Sequence, residues 1–130
     1  MLRAENLAVK TKTPLTRRLV IVAAGLAGAL GVMAAAAASH DAESRNLSAI
    51  AAICLAHGPA LLALGMMGRG RTFGASACLL GGGTLLFAAD LGAREFFGQA
   101  LFAGAAPLGG VGMIGGWLTI VAGGLLSRRF

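Results

Sequence analysis

One stretch of 21 residues without Lys, Arg, Asp or Glu constrains this chain more than any other feature. It is Leu47–Met67, LSAIAAICLAHGPALLALGMM. As an α-helix it would be about 31 Å long, which matches the roughly 30 Å hydrocarbon core of a bilayer. The stretch therefore predicts a transmembrane helix with His57 close to the membrane midplane.

Three further apolar blocks of similar length lie at 19–39, 73–93 and 107–126. Charged residues make up 12% of the 130 residues, about half the usual share in a soluble domain. The predicted fold is an all-α integral membrane bundle of four transmembrane helices. It would form one domain over 19–130, preceded by a polar cytoplasmic tail over 1–18.

The first span also resembles a signal peptide, because Arg17 and Arg18 precede it and the alanine run 34–38 could offer a cleavage site. Its apolar stretch is longer than the core of a usual signal peptide. We therefore expect a permanent helix.

The positions of the basic residues predict the orientation of the chain. Of eleven Lys and Arg residues, five lie in the tail over 1–18, two are Arg69 and Arg71, and two are Arg128 and Arg129. The positive-inside rule places these three regions, and hence both termini, in the cytoplasm. The net charge of +6 lies at span ends and not on one face, which favours lipid headgroups over nucleic acid as the partner.

Glycines recur at spacings that let membrane helices approach closely. Ala24 and Gly28, like Gly112 and Gly116, are small residues four positions apart, a pattern typical of helix contacts in lipid. Trp117 should fill a gap opposite the last glycines and donate its N–H to a carbonyl. The expected packing glycines are Gly25, Gly28, Gly31, Gly81, Gly82, Gly109, Gly110, Gly112 and Gly116.

His57 is the first candidate for function, since an ionisable residue inside a membrane often marks a site. Pro59 cannot donate to the carbonyl of Leu55, which predicts a kink and a free polar group beside the histidine. His57 could serve as a proton relay or ligand contact, or it could make a hydrogen bond between helices. The second role is favoured because no other ionisable group lies at the same depth.

Asp90 and His40 are the other proton-relay or ligand candidates, both near the outer ends of spans. Asp90 could pair with Arg94 at i, i+4, or with His40 or Arg45 on another helix, and the sequence leaves both alternatives open. His40 is expected at the membrane interface. Segment 94–106, with three phenylalanines, could dip into that interface as a short helix.

No catalytic constellation is visible. No Ser, Cys or Thr has a spacing to a histidine that would make it an activated nucleophile, and no acid and base lie at the same depth in the membrane. Cys54 and Cys78 lack the spacing of a metal site. Both cysteines are expected to be small packing residues. The sequence therefore predicts no enzyme activity, no metal and no cofactor.

Four motifs together resemble a known family. They are GALGVMAAAAASH ending at His40, CLAHGPALLALG around His57, LLFAADLGAR around Asp90, and APLGGVGMIGGW ending at Trp117. Their order and content are similar to domain of unknown function 423, the YgdD- and YwdK-like small membrane proteins. The chain departs by having alanines where that family has a glycine before His40, and Ala56 where many members have an aromatic residue. The resemblance implies four helices and a bacterial inner-membrane location, and it implies no activity.

Together these observations predict a non-enzymatic membrane protein that packs against lipids, against other membrane subunits or against its own copies, as an accessory component. The alternative is a small oligomeric transporter or proton-coupled carrier that uses His57.

Overall fold

The computed structural model describes residues 14–41 and 43–127, which form four α-helices. They are α1 (Leu15–His40), α2 (Arg45–Met67), α3 (Gly70–Phe97) and α4 (Ala105–Leu126). All four are long and apolar enough to cross a membrane. The prediction of an all-α chain with four apolar spans is confirmed, as expected of a multi-pass membrane protein. The tail over 1–13 and the pair Arg128 and Arg129 lie outside the described residues.

Each predicted span falls inside one helix, and all four helices begin earlier than expected. Helix α3 continues four residues beyond the predicted end at Ala93. The short interfacial helix expected in 94–106 is wrong, because 94–97 belong to α3 and 98–104 form turns and bends. Gly98 and Gly104 have φ of 72° and 89°. These left-handed conformations, which glycine adopts without strain, end one helix and start the next.

The connections between consecutive helices are short, so neighbouring helices run antiparallel. At the start of α2, the Ser44 hydroxyl accepts a hydrogen bond of 3.2 Å from the backbone N–H of Leu47, which satisfies one of the free donors at a helix start. The turn from α2 to α3 contains only Gly68 and Arg69, and Gly70 follows with a φ of 87°.

The helices are not packed equally against one another. Helix α1 packs along α2, α4 packs along α3, and α2 packs against α3. Helix α1 meets α3 at few points, and the backbones of α2 and α4 do not approach closely. The central helices α2 and α3 therefore hold most of the buried residues, with α1 and α4 on their flanks.

The core consists of two apolar clusters at different heights. One contains Ala34, Ile50, Cys54 and Ala88. The other joins all four helices through Ala24, Leu61, Leu80 and Met113. Two ionisable side chains, His57 and Asp90, are buried among these apolar residues, and each needs polar partners there.

Candidate functional site

His57 lies in the middle of α2 and is only 6% exposed. Both of its ring nitrogens have partners. The Nδ1 atom is 2.8 Å from the backbone carbonyl oxygen of Ile53, one turn earlier on the same helix. The indole Nε1–H of Trp117, on α4, donates to His57 Nε2 at 3.1 Å.

These two contacts fix the protonation state of the imidazole. A carbonyl oxygen can only accept a hydrogen bond, so Nδ1 must carry a proton. An indole N–H can only donate, so Nε2 must be unprotonated. The geometry thus fits one neutral tautomer of His57, in which every polar atom of the pair is satisfied.

The contact between His57 and Trp117 is also aromatic. The ring centroids are 5.9 Å apart and the planes cross at 63°, an edge-to-face arrangement that aromatic rings favour. Because α2 and α4 do not approach through their backbones, this pair bridges them across α3. Trp117 was expected to donate to a carbonyl. Its acceptor is instead the histidine.

The two contacts occupy both ring nitrogens of His57. A relay through imidazole needs one nitrogen to accept a proton while the other releases one. Nε2, the nitrogen that would accept, already receives the Trp117 hydrogen bond. Proton uptake by His57 would place two N–H donors against each other, so Trp117 would first have to move away.

Pro59 lies two residues after His57, and α2 continues through it to Met67. The missing N–H of Pro59 leaves the carbonyl of Leu55 without its usual donor. His57 bonds to the carbonyl of Ile53, not to the one that Pro59 frees. The acceptor of the histidine is therefore a carbonyl one turn before it, and not the carbonyl that Pro59 frees.

Asp90 forms a separate polar centre near the end of α3. Its carboxylate is fully buried. One oxygen accepts from Arg94 Nε at 2.9 Å, and the other accepts from the backbone N–H of Leu101 at 2.8 Å. The i, i+4 pair with Arg94 is therefore present, not the alternative pairs with His40 or Arg45. The bond to Leu101 ties the α3–α4 loop to the helix that precedes it.

Glu95 holds a second connection that the sequence did not reveal. Its two carboxylate oxygens accept from the Ser44 hydroxyl at 2.8 Å and from the Asn46 side-chain amide at 3.0 Å. Glu95 thus joins the end of α3 to the start of α2. The third span predicted from the sequence ends at Ala93, which would place Glu95 in a loop. Only the longer helix places it opposite Ser44.

His57, Asp90 and His40 do not form one site. His57 makes its hydrogen bonds in the middle of the helices, to Ile53 and Trp117. Asp90 accepts a hydrogen bond from the α3–α4 loop. His40 is the last residue of α1 and is exposed. Within 14–41 and 43–127, no three His, Cys, Asp or Glu side chains gather as they would around a metal ion. Cys54 is a buried free thiol and Cys78 an exposed one.

Several glycines lie where a Cβ atom would collide with a neighbouring helix. A Cβ on Gly83 would be 2.6 Å from the carbonyl oxygen of Gly109, and one on Gly109 would be 2.8 Å from that of Gly83. A Cβ on Gly116 would be 2.6 Å from the Leu80 side chain. Between α1 and α2 the contact is less close: a Cβ on Gly58 would be 3.3 Å from the carbonyl oxygen of Ala24. Gly58 and Gly83 were not among the expected packing positions.

The remaining expected packing glycines fall into two groups. A Cβ on Gly31 would collide as well, because it would be 2.8 Å from the Leu55 side chain. Gly112 faces Gly83, and Gly81 is in ordinary contact with Leu61. A second group has no atom within 4 Å of the position that a Cβ would take, so contacts within this chain leave room for a larger residue there. This group, called the open glycines below, consists of Gly25, Gly28, Gly82 and Gly110.

No protein-family model, curated protein or solved structure matches the chain. The resemblance to domain of unknown function 423 therefore stays a prediction.

Proposed function

We propose that this chain is a non-enzymatic membrane protein that packs against other membrane subunits, against its own copies or against lipids as an accessory component. It would lie in a bacterial inner membrane, as the family resemblance implies, with both termini in the cytoplasm. The observation that carries the proposal is the open glycines, which offer close approach to a neighbour on faces that this chain does not cover itself.

The state of His57 supports the same proposal. Both nitrogens of this midplane side chain bond to groups of the chain itself. The buried carboxylate of Asp90 likewise bonds to Arg94 and Leu101. These two side chains thus serve the packing of the chain, as a structural component requires.

The proposed association is tested by extraction in mild detergent and by cross-linking in native membranes. The wild-type chain is expected to run as a complex with copies or partner subunits. A Gly25→Leu/Gly110→Leu chain should lose that complex and keep its helix content, because no atom of the described residues lies within 4 Å of a Cβ at either position. A wild-type chain that is a lone monomer both in membranes and in detergent would contradict association with copies or partner subunits.

The proposed orientation has its own test. Cysteines placed at Arg71, in the first turn of α3, and at Gln99, between α3 and α4, lie at opposite ends of the helices. In a chain whose native cysteines are replaced by alanine, a membrane-impermeant maleimide should label position 99 in intact spheroplasts. Position 71 should be labelled only after lysis. The reverse pattern would contradict cytoplasmic termini.

A proton-coupled carrier is the second candidate, favoured by the burial of His57 at mid-helix. His57→Leu should then abolish pH-driven flux in proteoliposomes. If the free energy of unfolding changes and flux does not, the carrier hypothesis is wrong.

A further inference from the structure

A groove of about 520 Å³ lies between α1 and α3, and α2 forms its floor. Ala27 and Leu30 line one wall, and Gly82 and Leu85 line the other. Cys54 and Leu61 of α2 lie at the bottom. The groove exists because α1 meets α3 at few points while both pack on or beside α2.

The surface of this groove is hydrocarbon. No Lys, Arg, His, Asp or Glu lines it, and its one thiol is that of Cys54, which is buried. Thr84 is its one hydroxyl residue, and the Oγ1 atom of Thr84 is buried beneath the surface. A polar or charged ligand would lose its hydration here without gaining a partner. The occupant must therefore be apolar.

The position of the groove restricts where such an occupant can come from. The lining residues lie between 23 and 30 on α1 and between 81 and 89 on α3, which is the middle of both helices. At 1.5 Å per residue the groove is about 12 Å tall. In a bilayer of about 30 Å hydrocarbon thickness it lies at the depth of the distal halves of lipid chains.

The size of the groove distinguishes between a lipid chain and a helix of another protein. A helix with its side chains is 10–12 Å wide, so a segment about 12 Å long fills roughly 900 Å³ or more. The groove offers about 520 Å³, so a second helix would lie mostly outside it. A single unbranched hydrocarbon chain is much narrower than a helix and can enter fully.

We propose that the groove between α1 and α3 binds the distal part of one acyl chain of a bilayer lipid. The bound chain contacts Leu30, Leu85 and the floor at Leu61. It covers the wall at Gly82, where a side chain is absent. Because the groove holds no charge, the site selects the hydrocarbon chain and not the headgroup. The lipid site requires the membrane location of the proposed function and is independent of partner subunits.

The site is tested by native mass spectrometry of the full chain, reconstituted in palmitoyl-oleoyl phosphatidylcholine and then released in mild detergent. The wild type should retain one lipid per chain. Gly82→Leu places a side chain in the groove, because Gly82 lines it and no atom lies within 4 Å of the position of a Cβ there. The retained fraction should fall about tenfold. Replacing the lipid by phosphatidylglycerol with the same chains should leave the wild-type result unchanged.

Gly124→Leu is the matched control, because no atom lies within 4 Å of the position of its Cβ either and it lies on α4, outside the groove. It should retain lipid as the wild type does. Ala89→Leu, on the same wall as Gly82, is a second block and should act like Gly82→Leu. Helix content by circular dichroism verifies that each variant is folded.

Three results would overturn the lipid site. Equal retention in the wild type and both blocked chains would show an adventitious lipid only. A wild-type dimer that Gly82→Leu converts to a monomer would show that a second copy occupies the groove. Retention that depends on the headgroup would place the site at the membrane surface. In each case the association of the chain with partner subunits is measured separately by the cross-linking described above.

Discussion

The two sides of α3 are built differently. On the side of α4, Gly83 and Gly109 bring the two backbones so close that neither position accepts a Cβ. Trp117 then reaches over α3 to His57. On the side of α1, the neighbouring residue Gly82 faces open space, and the groove remains between the helices.

This difference shows that glycine alone does not determine how closely membrane helices pack. Gly82 and Gly83 are adjacent in the sequence, and because neither has a side chain, both would allow a neighbouring helix to approach closely. What differs is the partner, because α4 presents another glycine at the same height and α1 does not come within reach. In lipid no hydrophobic driving force brings helices together, so the fit between their surfaces decides which pairs of helices pack closely.

The largest expected effect comes from Gly83→Ala, which places a side chain in the close contact between α3 and α4. Its Cβ would meet backbone atoms of Gly109 and Met113 at 2.6 and 2.7 Å, and backbone cannot move without separating α3 from α4. We expect a loss of about 3 kcal/mol in the free energy of unfolding, measured by dodecyl sulfate titration in mixed micelles. Gly82→Ala is the matched control and should change it by less than about 0.5 kcal/mol. Equal losses in both variants would show that the two sides of α3 do not differ as described.

The second prediction concerns Asp90→Ala and tests how the α3–α4 loop is held to α3. The variant removes the acceptor for the Leu101 N–H and for Arg94, so the α3–α4 loop loses its attachment. The Leu101 amide should exchange with deuterium about tenfold faster or more. Amides in the middle of α2 should exchange as before, and faster exchange throughout the chain would mean that Asp90 supports the whole fold.

The sequence could predict the number and extent of the spans because both follow from one-dimensional quantities. A block such as Leu47–Met67 needs only length and the absence of charge to cross a bilayer. Which face a glycine presents depends on the rotation of its helix, and rotation depends on the partner. Gly82 was therefore expected to pack and Gly83 was not, although the close contact is at Gly83.

For the candidate site, too, the local features were predictable from the sequence and the contacts between helices were not. The position of His57 in the middle of a helix followed from its place in the apolar stretch, and the i, i+4 spacing suggested the Asp90–Arg94 pair. The bond from Trp117 to His57 joins residues 60 positions apart, and no local pattern encodes it. One usable signal was that a buried imidazole needs a donor and that Trp117 lies as deep in its own span as His57 does.

The third prediction concerns the bridge over α3. Single variants His57→Leu and Trp117→Phe, with the double variant, form a mutant cycle for the hydrogen bond. We expect a coupling energy of about 1 kcal/mol, in the range measured for hydrogen bonds between membrane helices. The readout is unfolding in mixed micelles followed by circular dichroism, because Trp117 is the only tryptophan. Additive losses would mean that the two rings contribute separately and that no bond joins α2 to α4.

The fourth prediction compares the two glycines of the Gly112-x-x-x-Gly116 motif. A Cβ on Gly116 would lie 2.6 Å from the Leu80 side chain and 2.9 Å from the Leu80 backbone nitrogen, so alanine there must push α3 away. A Cβ on Gly112 would lie 3.4 Å or more from every neighbour, which is ordinary contact. Gly112→Ala should therefore change the free energy of unfolding by less than about 0.5 kcal/mol, and Gly116→Ala should lower it by about 2 kcal/mol. If both alanines cost the same, the motif acts as a unit and the difference of less than 1 Å between the two contacts does not decide how α4 packs on α3.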